Sequence, residues 1–316
     1  MSSFSEAEIL IVEDKEANLR LDKLLVLHFP EHSRTYFEYL IENRFVLLNG
    51  NPVKKREKPK VGDEVSVQFE LLPEITLKPE PIALDILYED EYLIAINKPR
   101  GLVVHPAPGN WTGTLVNGLL YHCKNLPATT EPWRPGIVHR LDKDTSGVIV
   151  AAKTIATHQR LVGLFSQREV RKIYLAICVG NPGTIEISTF IGRHPIHRQE
   201  MTVLEDKGKM AVSRCRPLAY DSELSLVEIE LKTGRTHQAR VHMKHLGTPI
   251  LGDVVYGANT ANKKYGLSQQ LLHAEHLSCP HPITGVTLDL RAPIPQDMQS
   301  FIKRLGYVPP ATKSQL

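Results

Sequence analysis

The chain contains no run of about 18 consecutive apolar residues, so no membrane-crossing helix is expected. Its opening residues, MSSFSEAEILIVEDKE, carry acids where a secretory signal needs a basic start, and the apolar stretch among them is four residues long. Cysteine is scarce: Cys123, Cys178, Cys215 and Cys279 lie far apart and form no CxxC pair. That spacing argues against a zinc ribbon or a disulfide framework and fits a reducing compartment. GxGxxG, the P-loop, HExxH and GxSxG are all missing, which removes support for dinucleotide binding, NTP hydrolysis, a zinc protease and a serine hydrolase. Internal repeats and low-complexity tracts are absent too. A cytoplasmic protein needing no cofactor or metal is expected, with no membrane or protein partner implied and a monomer as the default.

Net charge is also slight, at +3 over 316 residues, but its distribution is uneven. Lys54–Lys60 (KKREKPK) holds a single acid, and Leu231–Gly252 holds four Lys/Arg and three His with none. Two such patches in one chain point to a polyanionic partner, because cationic surfaces attract phosphate backbones.

The length allows two domains. Residues 19–70 read as the core of a small first unit. Arg20–Phe29 repeats apolar residues at helical spacing, and Ser33 is placed to cap a second helix over Arg34–Asn43, with Phe37, Leu40 and Ile41 on one face. Phe45–Leu48 reads as a strand entering an Asn49-Gly50 type I′ turn, and Val65–Phe69 alternates as another. Leu71–Pro81, with three prolines, reads as a linker.

Beyond it, strands are expected near Ile86–Tyr88 and Tyr92–Asn97, followed by a turn-rich loop, KPRGLVVHPAPG (98–109). Thr154–Glu169 has the apolar spacing of a helix with Leu161, Leu164 and Phe165 inward; Lys172–Val179 and Leu226–Leu231 read as strands. Residues 180–215 show no dominant period. In LKTGRTHQARVHMKHLG (231–247), Thr236 is expected to cap a short helix, His237–Leu246, closed by Gly247. Arg235 and Arg240 would then project together. His237, His242 and His245 tempt a metal reading, but no carboxylate lies within the segment to complete a site.

The chain is organised around GIVHRLDKDTSGVIVAAK (136–153). Gly147–Ala152 is an unbroken run of small and β-branched residues, the composition of a buried strand. Directly before it, His139, Arg140, Asp142, Lys143 and Asp144 crowd together, and each must be hydrogen-bonded or kept wet. Loops fixed on a rigid scaffold are where catalytic groups tend to sit.

HRLDKDTSGVIVAAK resembles the signature of the RluA family of pseudouridine synthases, and INKPRGLVVHP (96–106), RKIYLA (171–176), RHP (193–195), LKTGRTHQARVH (231–242), PILGDVVYG (249–257), LLHAEHL (271–277), HPITG (281–285) and APIPQDM (292–298) are similar to companion segments. RLDKLL followed by VLLNGNPVKK resembles an S4-like RNA-binding domain. The combination is most like the RluD-type enzymes acting on large-subunit ribosomal RNA, with tRNA modification or non-catalytic RNA binding in ribosome assembly as alternatives. The resemblance implies an α+β chain in which a pseudouridine synthase fold, a mixed and mainly antiparallel central sheet with flanking helices, follows a small S4-like domain. Boundaries of 1–72, a linker at 73–82 and a catalytic domain at 83–310 are expected.

The same resemblance makes Asp142 the catalytic aspartate, Tyr174 the residue that stacks on the target base, and Arg240 the partner of the aspartate. Arg140 is implied to hold the unstacked RNA, and His139 and Arg235 are expected to bind RNA as well; Arg34, Arg44, Lys54 and Lys55 are implied to lie on RNA from the first unit. Ala239 and Cys215 depart from the family pattern, which more often has a larger aliphatic and an aromatic residue there. The reaction breaks the N1–C1′ bond of uridine and rejoins the base through C5, and the base must leave its stack to be turned.

Overall fold

The computed structural model describes residues 7–308 apart from 31, 33, 55, 70–76, 107–109, 125, 128–132, 198 and 199, with Arg34 and Thr35 described as backbone alone. The expected cap Ser33 and the basic residue Lys55 lie outside the described residues. The chain folds as two compact units, Met1–Thr76 and Leu77–Leu316.

The first unit packs two helices, α1 (Leu21–His28) and α2 (Arg34–Glu42), on a four-stranded antiparallel sheet. Its strands are β1 (Glu8–Ile11), β2 (Val46–Leu48), β3 (Asn51–Pro52) and β4 (Glu64–Val67), in the order β1-β4-β2-β3. Leu21, Leu24, Leu25, Phe37, Leu40 and Ile41 bury the apolar face that the helical spacing implied. Asn49 (φ 49°) and Gly50 (φ 75°) both adopt positive φ, the backbone of a type I′ turn, and the β2–β3 hairpin closes on them.

The second unit contains β5 (Ile86–Glu89), β6 (Leu93–Lys98), α3 (Leu115–Cys123), β7 (Ser146–Ala152), α4 (Ile155–Gln167), β8 (Arg171–Val179), β9 (Ile185–Arg193) and β10 (Met201–Leu204). It continues through β11 (Lys209–Tyr220), β12 (Leu224–Leu231), α5 (Gln238–His245), α6 (Asn259–Tyr265), β13 (Leu272–Pro280), β14 (Thr287–Arg291) and α7 (Gln296–Arg304). One ten-stranded sheet runs β10-β9-β11-β12-β8-β13-β7-β6-β5, with β14 beside β13. Among the described residues its one parallel pairing joins β13 to β7 at His273–Ser146 and Ala274–Gly147; the others are antiparallel. The fold is therefore α+β with a mixed, mainly antiparallel sheet.

Every residue of β7 is buried, which explains the unbroken apolar run. Val148, Val150 and Ala152 enter a cluster with Leu161 of α4, while Ile149 and Ala151 enter one with Leu115 and Leu119 of α3. Thr154 accepts from the Thr157 backbone N–H and starts α4 as a side-chain cap. Gly147 is required where β7 meets β13: its φ is 113°, and a Cβ there would run into the Ala274 carbonyl.

The segment without a dominant period, 180–215, contains β9, β10 and most of β11. Only two of the nine residues in β9 are buried, so no apolar run marks it. At the other end of the unit, the prolines of 77–82 do not lead to a free strand of chain. The Glu80 N–H donates to the Asn117 carbonyl at 3.0 Å, and Asn117 Nδ2 donates to the Lys78 carbonyl at 2.9 Å. Among the described residues no helix is long and apolar enough to cross a membrane.

Candidate active site

Residues 136–145 double back along β7 before turning into it. The Ala152 N–H donates to the Gly136 carbonyl at 2.8 Å, and Ile137 bridges Ala151 in antiparallel fashion. His139 extends this edge with its side chain. Its Nε2 accepts from the Val150 N–H at 2.9 Å, and its ring stacks on Phe165 with centroids 4.7 Å apart. Burial drives the His139 pKa down to about 3, with the positive charge of Lys172 adding to the effect, so the ring stays neutral and able to accept. The structure thus turns the His139 ring toward β7 and α4, where it is held by the Val150 N–H and Phe165.

Past His139 the chain emerges. Arg140 is exposed, and the loop closes with the Thr145 N–H donating to the Asp142 carbonyl at 3.1 Å. Lys98, at the end of β6, ties it down: its buried Nζ donates to the carbonyls of Pro99, Leu102 and Lys143 at 2.8, 2.9 and 3.0 Å. Burial depresses the Lys98 pKa to about 7, against the opposing charges of Asp144 and Asp142. Asp144 accepts from Gln269 Nε2 at 3.0 Å, and Lys143 is exposed. Each charge in the cluster is bonded or wet.

Asp142 faces α5. Arg240 Nη1 donates to its Oδ2 at 3.0 Å, and the carboxylate is 18% exposed. Behind the guanidinium lies a second carboxylate, the fully buried Asp253, which accepts from Arg240 Nε at 2.7 Å and Nη2 at 3.0 Å. The guanidinium carbon also lies 4.9 Å from the centroid of the buried Tyr256 ring. Burial alone would lower the Arg240 pKa, but the bonds and charges of Asp253 and Asp142 outweigh it and raise it above the ordinary arginine value. A pinned cation therefore fixes the direction of Asp142.

Helix α5 begins one residue later than the expected Thr236 cap. His237 occupies the N-cap in a left-handed conformation, φ 56° and ψ 20°, and makes no side-chain cap bond. Gln238 orders the turn instead, its Oε1 accepting from the Arg235 N–H and the Thr233 hydroxyl. His237 lies close to the site, with Nε2 3.8 Å from Asp142 Oδ1. His242 instead bonds Thr189 and Ser213, and among the described residues no three His, Cys, Asp or Glu gather as a metal-holding group.

Tyr174 sits on β8, packed between the cluster under α5 and the cluster under α3, with its ring half-buried. Burial raises the pKa of its phenol and the charge of Asp142 raises it further, so the hydroxyl keeps its proton at neutral pH. Two residues earlier, and so on the same face of the strand, Lys172 has its pKa lowered by burial and by the charges of Arg168 and Arg235. Arg235 Nε donates to the Met210 carbonyl at 2.9 Å. Arg168 and Arg140 are exposed; Arg168 and Arg235 act on Lys172, and Arg140 acts on His237, giving a positive rim beside Lys172 and His237.

The structure brings together Asp142, Tyr174 and Arg240, with Arg140 and Arg235 nearby. Arg44 and Lys54 are exposed on the first unit, where α2 also begins with Arg34. Ala239 and Cys215 fall in one buried cluster with Met243, whose flexible side chain fills space between small neighbours. Sequence reasoning placed Lys98 only in a loop neighbouring the site, set His237 aside as a metal ligand, and gave no role to Asp253 or Tyr256. A signal for Asp253 was present, since it is the lone acid in PILGDVVYG. Gly252 beside it has φ 82°, and a Cβ there would strike the Gln269 carbonyl. A cavity of about 620 Å³ lined by Asn97, Arg100, Ser146 and Pro293 to Asp297 includes none of Asp142, Tyr174 or Arg240.

Comparison with known proteins agrees with this geometry. The family model for RNA pseudouridylate synthase matches residues 92–245, and the S4 domain model matches residues 19–65. An uncharacterised RNA pseudouridine synthase of Bacillus subtilis (strain 168) is 42% identical over 300 residues, covering 94% of this chain and 97% of that one. Ribosomal large subunit pseudouridine synthase D of Neisseria meningitidis serogroup A is 43% identical, covering 90% and 78%. The protein of that name from Escherichia coli (strain K12) is 41% identical, covering 92% of each. The solved structure of human RNA pseudouridylate synthase domain containing 4 aligns with a TM-score of 0.57 at 29% identity, over 72% of this chain and 94% of that one. With an S4 domain ahead of a carboxylate pinned by a buried arginine, the chain belongs to the RNA pseudouridylate synthase family.

Proposed function

We propose that this enzyme isomerises uridine to pseudouridine in large-subunit ribosomal RNA, with Asp142 as the reacting carboxylate. The observation that carries the reading is Asp142 itself: a partly exposed carboxylate, one oxygen held at 3.0 Å by an arginine that a second, buried carboxylate fixes from behind. Such an arrangement uses one oxygen for orientation and leaves the other for chemistry. The ribosomal target rests on the relatives named for the large subunit, which match this chain across both units.

In this reading the target uridine leaves its stack and enters beside Asp142. Tyr174 grips the base face, worth about 1–3 kcal/mol by stacking. Its protonated phenol suits a hydrogen-bond donor better than a base for the C5 proton. Arg140 and Arg235 hold flanking phosphates. Residues 1–72 dock RNA through Arg34, Arg44, Lys54 and Lys55, residues 73–82 connect, and residues 83–310 carry the reaction. The protein works as a monomer in the cytoplasm.

Asp142→Asn keeps the shape and removes the reacting charge. It is expected to abolish isomerisation while RNA affinity stays within about threefold, because phosphate contacts dominate affinity. Pseudouridine mapped by carbodiimide treatment and primer extension, on large-subunit RNA and on tRNA, reads both activity and target. Near-normal product from the variant would end the mechanism. Product confined to tRNA would move the substrate and leave the chemistry intact.

A further inference from the structure

We infer that His237 is a neutral hydrogen-bond donor to a carbonyl oxygen of the uracil ring as negative charge builds there, an assignment that rests on the uridine isomerisation proposed above. His237 holds φ 56° and ψ 20° at the N-cap of α5, where a side-chain-bearing residue carries a conformational cost and makes no capping bond in return. What its ring does instead is bond Tyr256, with Nδ1 2.8 Å from the phenol oxygen.

The proton positions follow from that oxygen. The Tyr256 hydroxyl already accepts from the Met201 N–H at 2.7 Å, and its single proton has His237 Nδ1 as its bonded acceptor. Nδ1 therefore accepts and Nε2 carries the ring proton, a tautomer assigned from the hydrogen-bond network. Burial and the charges of Arg240 and Arg140 keep the ring neutral by lowering its pKa, against the opposing effects of Asp142 and Asp253.

The Nε2–H faces Asp142 Oδ1 across 3.8 Å, too far for a hydrogen bond, so the donor remains available. The other oxygen of Asp142 is taken by Arg240, whose three nitrogens are all engaged by Asp142 and Asp253. His237 and Asp142 are 20% and 18% exposed, against 6% for Arg240. A substrate that reaches the open oxygen of Asp142 therefore meets the Nε2–H first.

The chemistry needs such a donor by every route. If Asp142 attacks C1′ or removes a sugar proton, the N1–C1′ bond breaks and its electron pair departs with uracil, whose charge spreads over O2 and O4. If Asp142 adds to C6, the C5–C6 π pair moves through C4 to O4. Either way a carbonyl oxygen of the base gains negative charge. A neutral N–H fixed in advance stabilises that charge.

Two substitutions separate this role from a structural one. His237→Asn tolerates the left-handed backbone and can still accept from Tyr256, but is too short to present a donor at the Nε2 position. His237→Gln reaches that position with an amide N–H. The expected result is a kcat lower by about 10²-fold for His237→Asn, with KM within about threefold, unchanged melting, and recovery to within about tenfold of wild type in His237→Gln. Equal kcat in the two variants, or a loss carried by KM or by melting, overturns the assignment. Histidine ¹⁵N spectra of the wild type add a second readout: a protonated Nδ1 overturns it as well. A wild type that forms no pseudouridine would sink the isomerisation reading while leaving the tautomer standing, so the two failures are distinguishable.

Discussion

Replacing Asp253 by asparagine tests whether the site is built from behind. Asp253 is fully buried, and its Oδ1 accepts from Arg240 Nη2 and from the Val255 and Tyr256 N–H groups at 3.0, 2.9 and 2.9 Å. Oδ2 accepts from Arg240 Nε at 2.7 Å. An asparagine can keep its oxygen at the first position only by setting its amide NH₂ against the Nε–H, donor against donor. Arg240, 6% exposed, then holds a buried charge answered by Asp142 alone. Breaking a buried pair in this way costs about 3–5 kcal/mol, a large fraction of the stability of a typical domain. With a urea m-value of about 3 kcal/mol/M for a unit of this size, the midpoint should fall by roughly 1 to 1.7 M. Both tryptophans, Trp111 and Trp133, lie in the second unit, so tryptophan fluorescence follows that unit. Activity should fall by about 10²-fold, the cost of a carboxylate misplaced by about 1 Å. Asp142→Asn is the contrast: Arg240 keeps both bonds to Asp253, so stability should barely move while activity disappears. An Asp253→Asn variant with an unchanged midpoint and a kcat within twofold of wild type would show that Asp142 does not depend on this support.

Lys98→Met removes the donor from three carbonyls and should destabilise the second unit by about 3 kcal/mol, measured by the same urea titration. With a folded pKa of about 7 against an ordinary 10.5, the unfolded chain binds the extra proton between those values. Wild type should therefore gain stability relative to Lys98→Met as pH rises from 7 to 10. His139 is held down to about 3, and His105, His242 and His273 to about 4, mainly by burial. The unfolded chain takes up these protons first as pH falls below 6.5, so stability should decline steadily between pH 6.5 and 4; melting temperatures flat over that range would contradict the neutral, buried assignment. Lys172→Met should weaken RNA binding across sequences and reduce the slope of log Kd against log salt by about 1, if the positive rim meets phosphate; an unchanged slope would remove Lys172 from the interface.

The features legible in the sequence were local ones. An unbroken β-branched run is buried on both faces, so β7 could be read without its neighbours. Asn49-Gly50 selects its turn through backbone freedom alone, and Thr154 caps α4 three residues from its partner. Five ionisable groups crowded against a core strand marked the stretch around Asp142 as one needing an explanation, and the family resemblance singled out Asp142 within it. Packing settled which of those groups are bonded within the fold and which stay exposed. His139 turned inward because β13 pairs with β7 only at Ser146 and Gly147, leaving the Val150 N–H to find an acceptor in the imidazole. The 180–215 strands were hidden because a sheet exposed on one face carries no continuous apolar run. Asp253 and Tyr256 act on Asp142 from more than a hundred residues away, through a guanidinium and an imidazole that only packing brings between them. Hydrogen bonds and burial across such separations are properties of the folded chain, and no spacing along the sequence encodes them.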